Sequence, residues 1–166
     1  MAVSPFGKEQ KMDIRTYEMV IDTETKQSSL VVKESFAYGE ECFCAPLSIA
    51  TLMKEVFRLH EMADEYVYML AFNYKMTLLG VFEISHGTGN ASLLDARGVF
   101  MRALYVGASQ IVLIHNHPSG KVEASNQDLH ISKRIKEVGE LMGIALSDHI
   151  IVGSSGYLSF HESGLM

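Results

Sequence analysis

An apolar, β-branched segment at residues 110–114 leads directly into two histidines that are separated by a single residue. Such a segment predicts a buried strand, in which side chains two positions apart point to the same face of the sheet. His115 and His117 therefore project together, while Asn116 points to the opposite face. Pro118 has no N–H group to donate to a strand ladder, so it ends the strand. The chain is expected to form a sheet that carries a pair of imidazoles at one edge.

An aspartate follows the second histidine after ten intervening residues, which gives the spacing His-x-His-x10-Asp. A loop can return the chain so that Asp128 lies in the first turn of the following helix. Two imidazoles and one carboxylate make a three-ligand site with an open position, which is the arrangement of catalytic zinc sites. The sequence therefore points to a Zn²⁺ ion bound by His115, His117 and Asp128.

A structural interpretation of the same residues stays open at this point. Ser125 to Asp128 also fits a capping box, which begins a helix predicted to run to about Gly143 and requires no metal. Most histidines at strand ends are hydrogen-bonded polar residues rather than ligands. A further histidine, His149, is expected to orient polar groups in the core.

Two other enzyme classes have motifs that look related. The letters His-Asn-His suggest a nuclease by name, but the residues of that nuclease motif are dispersed along a chain rather than adjacent. A zinc nucleobase deaminase requires His-x-Glu and Pro-Cys-x-x-Cys. Neither pattern occurs in this sequence.

The motif His115-x-His117-Pro-Ser-Gly, followed by Ser125-x-x-Asp128, resembles the JAMM (MPN-plus) metalloprotease motif in the form carried by the bacterial RadC family. Four more segments resemble that family: Gly-Thr-Gly-Asn-Ala-Ser at 87–92, Arg-Gly-Val-Phe at 97–100, Leu-Ser-Asp-His-Ile-Ile-Val-Gly at 146–153 and Tyr-Leu-Ser-Phe at 157–160. The likeness covers roughly residues 45–166. Asp95-Ala96 and Gly98 stand where the family commonly has His-Pro and Glu.

The order of the predicted elements agrees with the fold that this resemblance implies. Short strands at 17–22 and 29–33 precede a helix over 45–60, a hairpin over 66–84, a helix over 95–106, the histidine strand, the helix from Ser125, and strands at 148–152 and 157–160. This alternation favours an α/β fold with a mixed β-sheet flanked by helices. The resemblance implies the cytidine-deaminase-like architecture of JAB/MPN domains. We expect residues 1–44 to form an N-terminal strand pair or appendage, and residues 45–166 to form a RadC-like JAMM metallohydrolase domain.

The resemblance also implies two catalytic residues. JAMM domains carry a glutamate on a strand upstream of the histidines, and Glu83, at the end of the strand predicted over 77–84, matches it. On pattern alone, Glu83 is a solvent-facing residue where that strand leaves the sheet. By resemblance, Glu83 takes the proton from water and returns it to the leaving amine, and the Ser125 hydroxyl donates a hydrogen bond to the developing oxyanion.

The implied activity is zinc-dependent hydrolysis of an amide bond in a peptide, an isopeptide or a small amide. Two alternatives remain: a factor for DNA repair or recombination, which is the historical association of the family, and a catalytically silent MPN-type scaffold that binds partners. The 14 basic and 20 acidic residues give a net charge of −6, whereas a surface for phosphate backbones needs clustered Lys and Arg. The chain also has no room for the helix-hairpin-helix domain that family members usually carry. DNA binding is therefore expected to be weak or absent.

With 166 residues, 48% of them hydrophobic, the chain can bury a full core as one domain. Cys42 and Cys44 are two positions apart, a spacing that rarely meets disulfide geometry, so we expect free thiols. No signal sequence opens the chain, and no apolar run approaches the ~18 residues of a membrane span. A soluble cytoplasmic protein without membrane contact is expected.

Overall fold

The computed structural model describes residues 11–39, 42–87 and 94–166. The strands are β1 (Met12–Ile21), β2 (Ser28–Tyr38), β3 (Glu65–Phe72), β4 (Leu78–Gly87), β5 (Gln110–Asn116), β6 (Ala145–Gly153) and β7 (Gly156–Ser159). The helices are α1 (Pro46–Glu55), α2 (Ala96–Tyr105) and α3 (Asn126–Met142), with a short 3₁₀ helix at Leu59–Glu61. The family-like segment at 87–92 lies outside the described residues except for its first glycine.

These strands form one mixed sheet in the order β2-β1-β4-β3-β5-β6-β7. The neighbours β1 and β4 are parallel, as are β5 and β6, while the other neighbours are antiparallel. The histidine strand β5 therefore lies between β3 and β6. The predicted α/β fold class, a mixed sheet flanked by helices, is confirmed.

Helices cover both faces of this sheet. On one face, Leu52 of α1 packs in a core that includes Ile114 of β5. On the other face, Phe100 of α2 and Ile135 of α3 pack in a core that includes Leu113. Because β5 is covered on both sides, its residues read as a continuous apolar run. Its carboxyl end is the place where polar side chains can emerge.

The first helix is shorter than predicted. It ends at Glu55 rather than near residue 60. Arg58 has a left-handed backbone with φ 51°, which an α-helix cannot accommodate, and the chain continues as the 3₁₀ helix. This turn brings Leu59 into the core, where it is fully buried.

Cys42 and Cys44 are joined by a disulfide bond, so the prediction of two free thiols is wrong. The sequence argument relied on the rarity of bridges at this spacing. Here the Phe43 ring between the two cysteines is buried in the core, while both cysteines lie on the exposed side. Their Cα atoms are 5.5 Å apart, which is within the usual range for a bridge.

The N-terminal strands β1 and β2 form an antiparallel pair that joins the sheet beside β4. The connection to β4 is the parallel pairing of Thr16 with Val81. Ile14 is fully buried in the core on the α1 side. Among the described residues, the helices are too short or too polar to cross a membrane.

Candidate metal centre

Three of the predicted site residues meet at the carboxyl end of β5. The Nε2 atom of His115 lies 3.0 Å from His117 Nε2 and 3.3 Å from Asp128 Oδ1. His117 Nε2 lies 3.5 Å from Asp128 Oδ2. The potential ligand atoms of these three residues all lie within 4.8 Å of one another.

The separations fit a small tetrahedral cation. Zinc with nitrogen or oxygen ligands at about 2.0–2.1 Å requires ligand atoms about 3.3 Å apart, close to the three observed distances of 3.0, 3.3 and 3.5 Å. The side chains of His115 and Asp128 are buried, whereas that of His117 is 18% exposed. Solvent or a substrate can therefore approach the cluster from the side of His117.

Two glycines allow the loop after His117 to fold back onto β6. The Gly120 N–H donates to the His117 carbonyl at 2.8 Å, and Gly120 has a φ of +74°, which strains any residue with a Cβ. Gly153 of β6 lies so close that a Cβ there would collide with the Gly120 carbonyl. The compact loop returns the chain to the start of α3, where Asp128 faces the histidines.

Ser125 and Asp128 form the predicted capping box at the start of α3. The Asp128 N–H donates to Ser125 Oγ at 3.1 Å, and the Ser125 N–H donates to Asp128 Oδ2 at 2.8 Å. The cap holds the carboxylate with Oδ1 toward His115, so it also orients the predicted metal ligand. The Ser125 hydroxyl donates to Asp128 Oδ2 at 2.6 Å, so it must turn away from Asp128 before it can bind an oxyanion.

The electrostatics of the cluster favour an ionised carboxylate. Burial alone would raise the pKa of Asp128, but hydrogen bonds with His115, His117 and Ser125 outweigh it and hold that pKa below its ordinary value. The hydrogen bond that the His117 ring donates to the Asp128 carboxylate raises the pKa of His117, with burial acting in the opposite direction. A carboxylate next to two imidazoles is a donor set that binds a divalent cation.

A second buried imidazole lies behind His115. His149 of β6 is 2% exposed, and its Nε2 atom lies 2.9 Å from His115 Nδ1. Its Nδ1 atom contacts Ser132 Oγ of α3 at 2.5 Å. Burial lowers the pKa of His149 well below its ordinary value. His149 therefore contacts polar groups in the core, and its role in orienting them stays a prediction.

The structure does not bring Glu83 to this cluster. Glu83 pairs with Tyr68, which belongs to the core on the α1 side. His115 pairs with Val67, which belongs to the core on the other side. Glu83 therefore lies on the opposite face from His115, where its carboxylate contacts His86 Nδ1 at 2.8 Å. The catalytic role of Glu83 stays a prediction.

Glu65, which the sequence reasoning missed, is a carboxylate that β3 directs toward the cluster. It lies two residues before Val67 and so shares the face of Val67 and His115. Continuing the antiparallel register of β3 and β5 places Glu65 beside His117, and the charge of Glu65 contributes to the raised pKa of His117. The sequence offered one clue to Glu65, which is that an acidic residue immediately precedes the strand predicted from residue 66. This clue could not be connected to the histidines without knowing that β3 is the neighbour of β5.

Comparisons with known proteins identify the family of this chain. A family model described as RadC-like JAB domain matches residues 43–165. A "UPF0758 protein" of Clostridium kluyveri is 36% identical over 134 residues, covering 80% of this chain and 58% of that protein. A "UPF0758 protein" of Pelobacter propionicus is 38% identical over 110 residues, covering 66% and 48% of the two chains.

A further "UPF0758 protein", from Thermotoga maritima, is 39% identical over 100 residues, which are 60% of this chain and 45% of that protein. The chain thus spans about half the length of the curated relatives that it matches. The match to the family model extends from the loop before α1 to the residues after β7, and it includes the three clustered side chains. The chain belongs to the RadC-like JAB domain family.

Proposed function

We propose that this protein is a zinc-dependent hydrolase of amide bonds, acting on a peptide, an isopeptide or a small amide. The observation that carries the proposal is the convergence of two imidazole Nε2 atoms and one carboxylate, 3.0–3.5 Å apart, at an edge that solvent reaches. His115, His117 and Asp128 would hold the ion. Zinc supplies a Lewis acid there, which polarises a carbonyl and lowers the pKa of water to about 7.

A hydrolase of this type also needs a group that moves protons. We assign this role to Glu65, because it shares a face with His115 and lies beside His117 by strand register. Glu65 takes a proton from the attacking water and delivers it to the leaving amine, which a carboxylate can do when it is held within hydrogen-bond reach. Glu83, the residue suggested by sequence, is the competing candidate.

Ser125 is proposed to assist at the carbonyl oxygen. Its hydroxyl lies next to Asp128 at the exposed mouth of the cluster. When it turns from Asp128 it donates to the negative charge that develops on the substrate oxygen, an interaction that is stronger in the transition state than in the ground state. The Ser125 backbone N–H stays on Asp128 Oδ2 and keeps the carboxylate in place.

The same proposal extends to the domains of the protein, its location and its ligands. Residues 45–166 are the hydrolase domain, and residues 1–44 are an appendage that lengthens the sheet. In this proposal the protein acts in the cytoplasm, and its DNA binding is weak or absent. A scaffold without activity is the alternative that the experiment must exclude.

The test is hydrolysis of a defined panel of amides. Internally quenched peptides, ε-lysyl isopeptides and small acyl amides are incubated with the zinc-loaded protein, with protein stripped by a chelator, and with stripped protein to which zinc is restored. Turnover of at least one class is expected only in the zinc-containing samples, and Asp128→Asn should lose it. Complete inactivity of the zinc-loaded protein on all three classes would favour the silent scaffold.

A further inference from the structure

A line of polar contacts runs behind the proposed metal ligands and begins and ends at Asp128. The Ser132 hydroxyl donates to the Asp128 backbone carbonyl at 2.8 Å and contacts His149 Nδ1 at 2.5 Å. His149 Nε2 contacts His115 Nδ1 at 2.9 Å. His115 Nε2 then faces the Asp128 carboxylate at 3.3 Å. The backbone of one ligand is thereby connected to the ring of another.

The direction of every bond in this line is fixed by its first member. A backbone carbonyl can only accept, so the single hydroxyl proton of Ser132 is used on Asp128. Ser132 Oγ must then accept from His149 Nδ1–H. A neutral imidazole has one N–H, so His149 Nε2 is an acceptor, and the proton between the two rings belongs to His115 Nδ1.

Burial makes this order obligatory. His149 and Ser132 are each 2% exposed, so water cannot supply a partner to a donor or acceptor that lacks one in this line. In the described part of the chain, the hydrogen-bond partners of the His149 ring are Ser132 and His115 rather than a carboxylate. A charged ring in this position would be costly, and so would two N–H groups that face each other.

We propose that Ser132 and His149 are positioning residues that hold a proton on His115 Nδ1 and so aim the Nε2 lone pair of His115 at the metal. This inference rests on the proposed metal site but is independent of the reaction. Its consequence is that His115 Nδ1 keeps its proton before an ion arrives, which leaves Nε2 as the nitrogen available to the metal. Partners of this kind typically contribute 10–100-fold to metal affinity.

The test reads ring protonation directly. Long-range ¹H–¹⁵N correlation spectra of ¹⁵N-labelled protein distinguish protonated from unprotonated ring nitrogens. With and without zinc, we expect protonated Nδ1 on both His115 and His149, and unprotonated Nε2 on His149. A proton on His149 Nε2, or an unprotonated His115 Nδ1 in the metal-free protein, would overturn the inference.

Two variants extend the test to metal binding. Ser132→Ala removes the acceptor for His149 Nδ1–H. The rings of His149 and His115 should then each populate both neutral tautomers, and zinc binding should weaken by roughly 10–100-fold. His149→Phe should lower zinc affinity similarly; if it fails to fold, Ser132→Ala alone decides. Ser109→Ala is the matched control, because Ser109 is a buried serine whose hydroxyl also contacts a backbone carbonyl, beside β5 at its other end.

Unchanged tautomers and unchanged zinc affinity in Ser132→Ala would contradict the positioning role, as would an equal loss in Ser109→Ala. These outcomes are distinct from failure of the proposed function. A protein that shows the expected tautomers and binds zinc but cleaves no amide would refute the hydrolase and leave this inference standing.

Discussion

The side-chain oxygen of Asn116 accepts a hydrogen bond from the backbone N–H of Tyr66 at 2.8 Å. The Asn116 amide nitrogen donates to the Asp64 carbonyl at 3.0 Å. Asn116, which lies between the two histidines, is therefore hydrogen-bonded to the backbone on both sides of Glu65. Its side chain lies on the face of β5 opposite the histidines. The end of β5 thus presents the two proposed metal ligands on one face, while on the other face the Asn116 side chain holds the backbone on either side of the proposed proton carrier.

Replacing Asn116 by alanine should reduce activity more than zinc content. The change leaves the Tyr66 N–H and the Asp64 carbonyl without their partner in a site where Asn116 is 1% exposed, at a cost of about 1–3 kcal/mol of unfolding free energy. Denaturant unfolding, zinc content and turnover are measured together. Asn73→Ala is the control, since Asn73 Oδ1 also accepts two backbone N–H bonds, in the turn between β3 and β4. Equal losses of turnover in the two variants would argue against a role for Asn116 in placing Glu65.

The choice between the two glutamates is decided by a pair of matched variants. Glu65→Gln keeps volume and removes the base, so turnover of a substrate found for the wild type should fall roughly 10²–10⁴-fold. Glu83→Gln should retain most of the activity, because Glu83 lies on the other face of the sheet with His86. Steady-state kinetics at equal zinc loading provides the measurement. The reverse pattern would return the catalytic role to Glu83.

The histidine site could be predicted from sequence because its geometry is local. Strand alternation sets His115 and His117 on one face, and a capping box sets Asp128 in the first turn of a helix. The position of Glu83 depends on register across two other strands. Shifts in the pairing of β3 with β4 occur between Val67 and Tyr68 and between Ala71 and Phe72, and an offset of one residue exchanges the faces of a strand.

Other parts of the fold depend on contacts that no local pattern encodes. The sheet order that makes β3 the neighbour of β5 results from packing of the whole domain. The left-handed Arg58, beyond which α1 cannot continue, is not marked by a glycine or a proline in the sequence. The Cys42–Cys44 bridge follows from burial of the Phe43 ring between the cysteines.

Gly139 of α3 should not tolerate a side chain. A Cβ on Gly139 would collide with the backbone carbonyl of Ile144, which cannot move without disturbing the start of β6. Gly139→Ala is expected to lower the unfolding free energy by about 1–3 kcal/mol, measured by urea unfolding. Gly98→Ala in α2 is the matched control. There the nearest atom, 3.3 Å away, is the flexible end of Arg102, and a helical Gly→Ala change alone should stabilise by about 0.5–1 kcal/mol. A stable Gly139→Ala protein would mean that the α3–β6 turn can shift.

DNA affinity should be low. The net charge is −6, and specific protein–DNA complexes typically reach about 10⁻⁸ M or tighter at physiological salt. Fluorescence anisotropy with a labelled duplex at that ionic strength should give no sub-micromolar binding. Tight binding that weakens steeply with added salt would support the DNA-repair alternative instead.

The zinc content of the purified protein tests the central claim most directly. Elemental analysis of protein prepared without chelators should give about one zinc per chain for the wild type and for Glu65→Gln, because Glu65 is proposed as a proton carrier and not as a ligand. His117→Ala and Asp128→Asn should lose the ion, since each removes one of the three proposed ligands. A wild type without bound metal, or stoichiometric zinc that survives in His117→Ala, would contradict the assignment of the site.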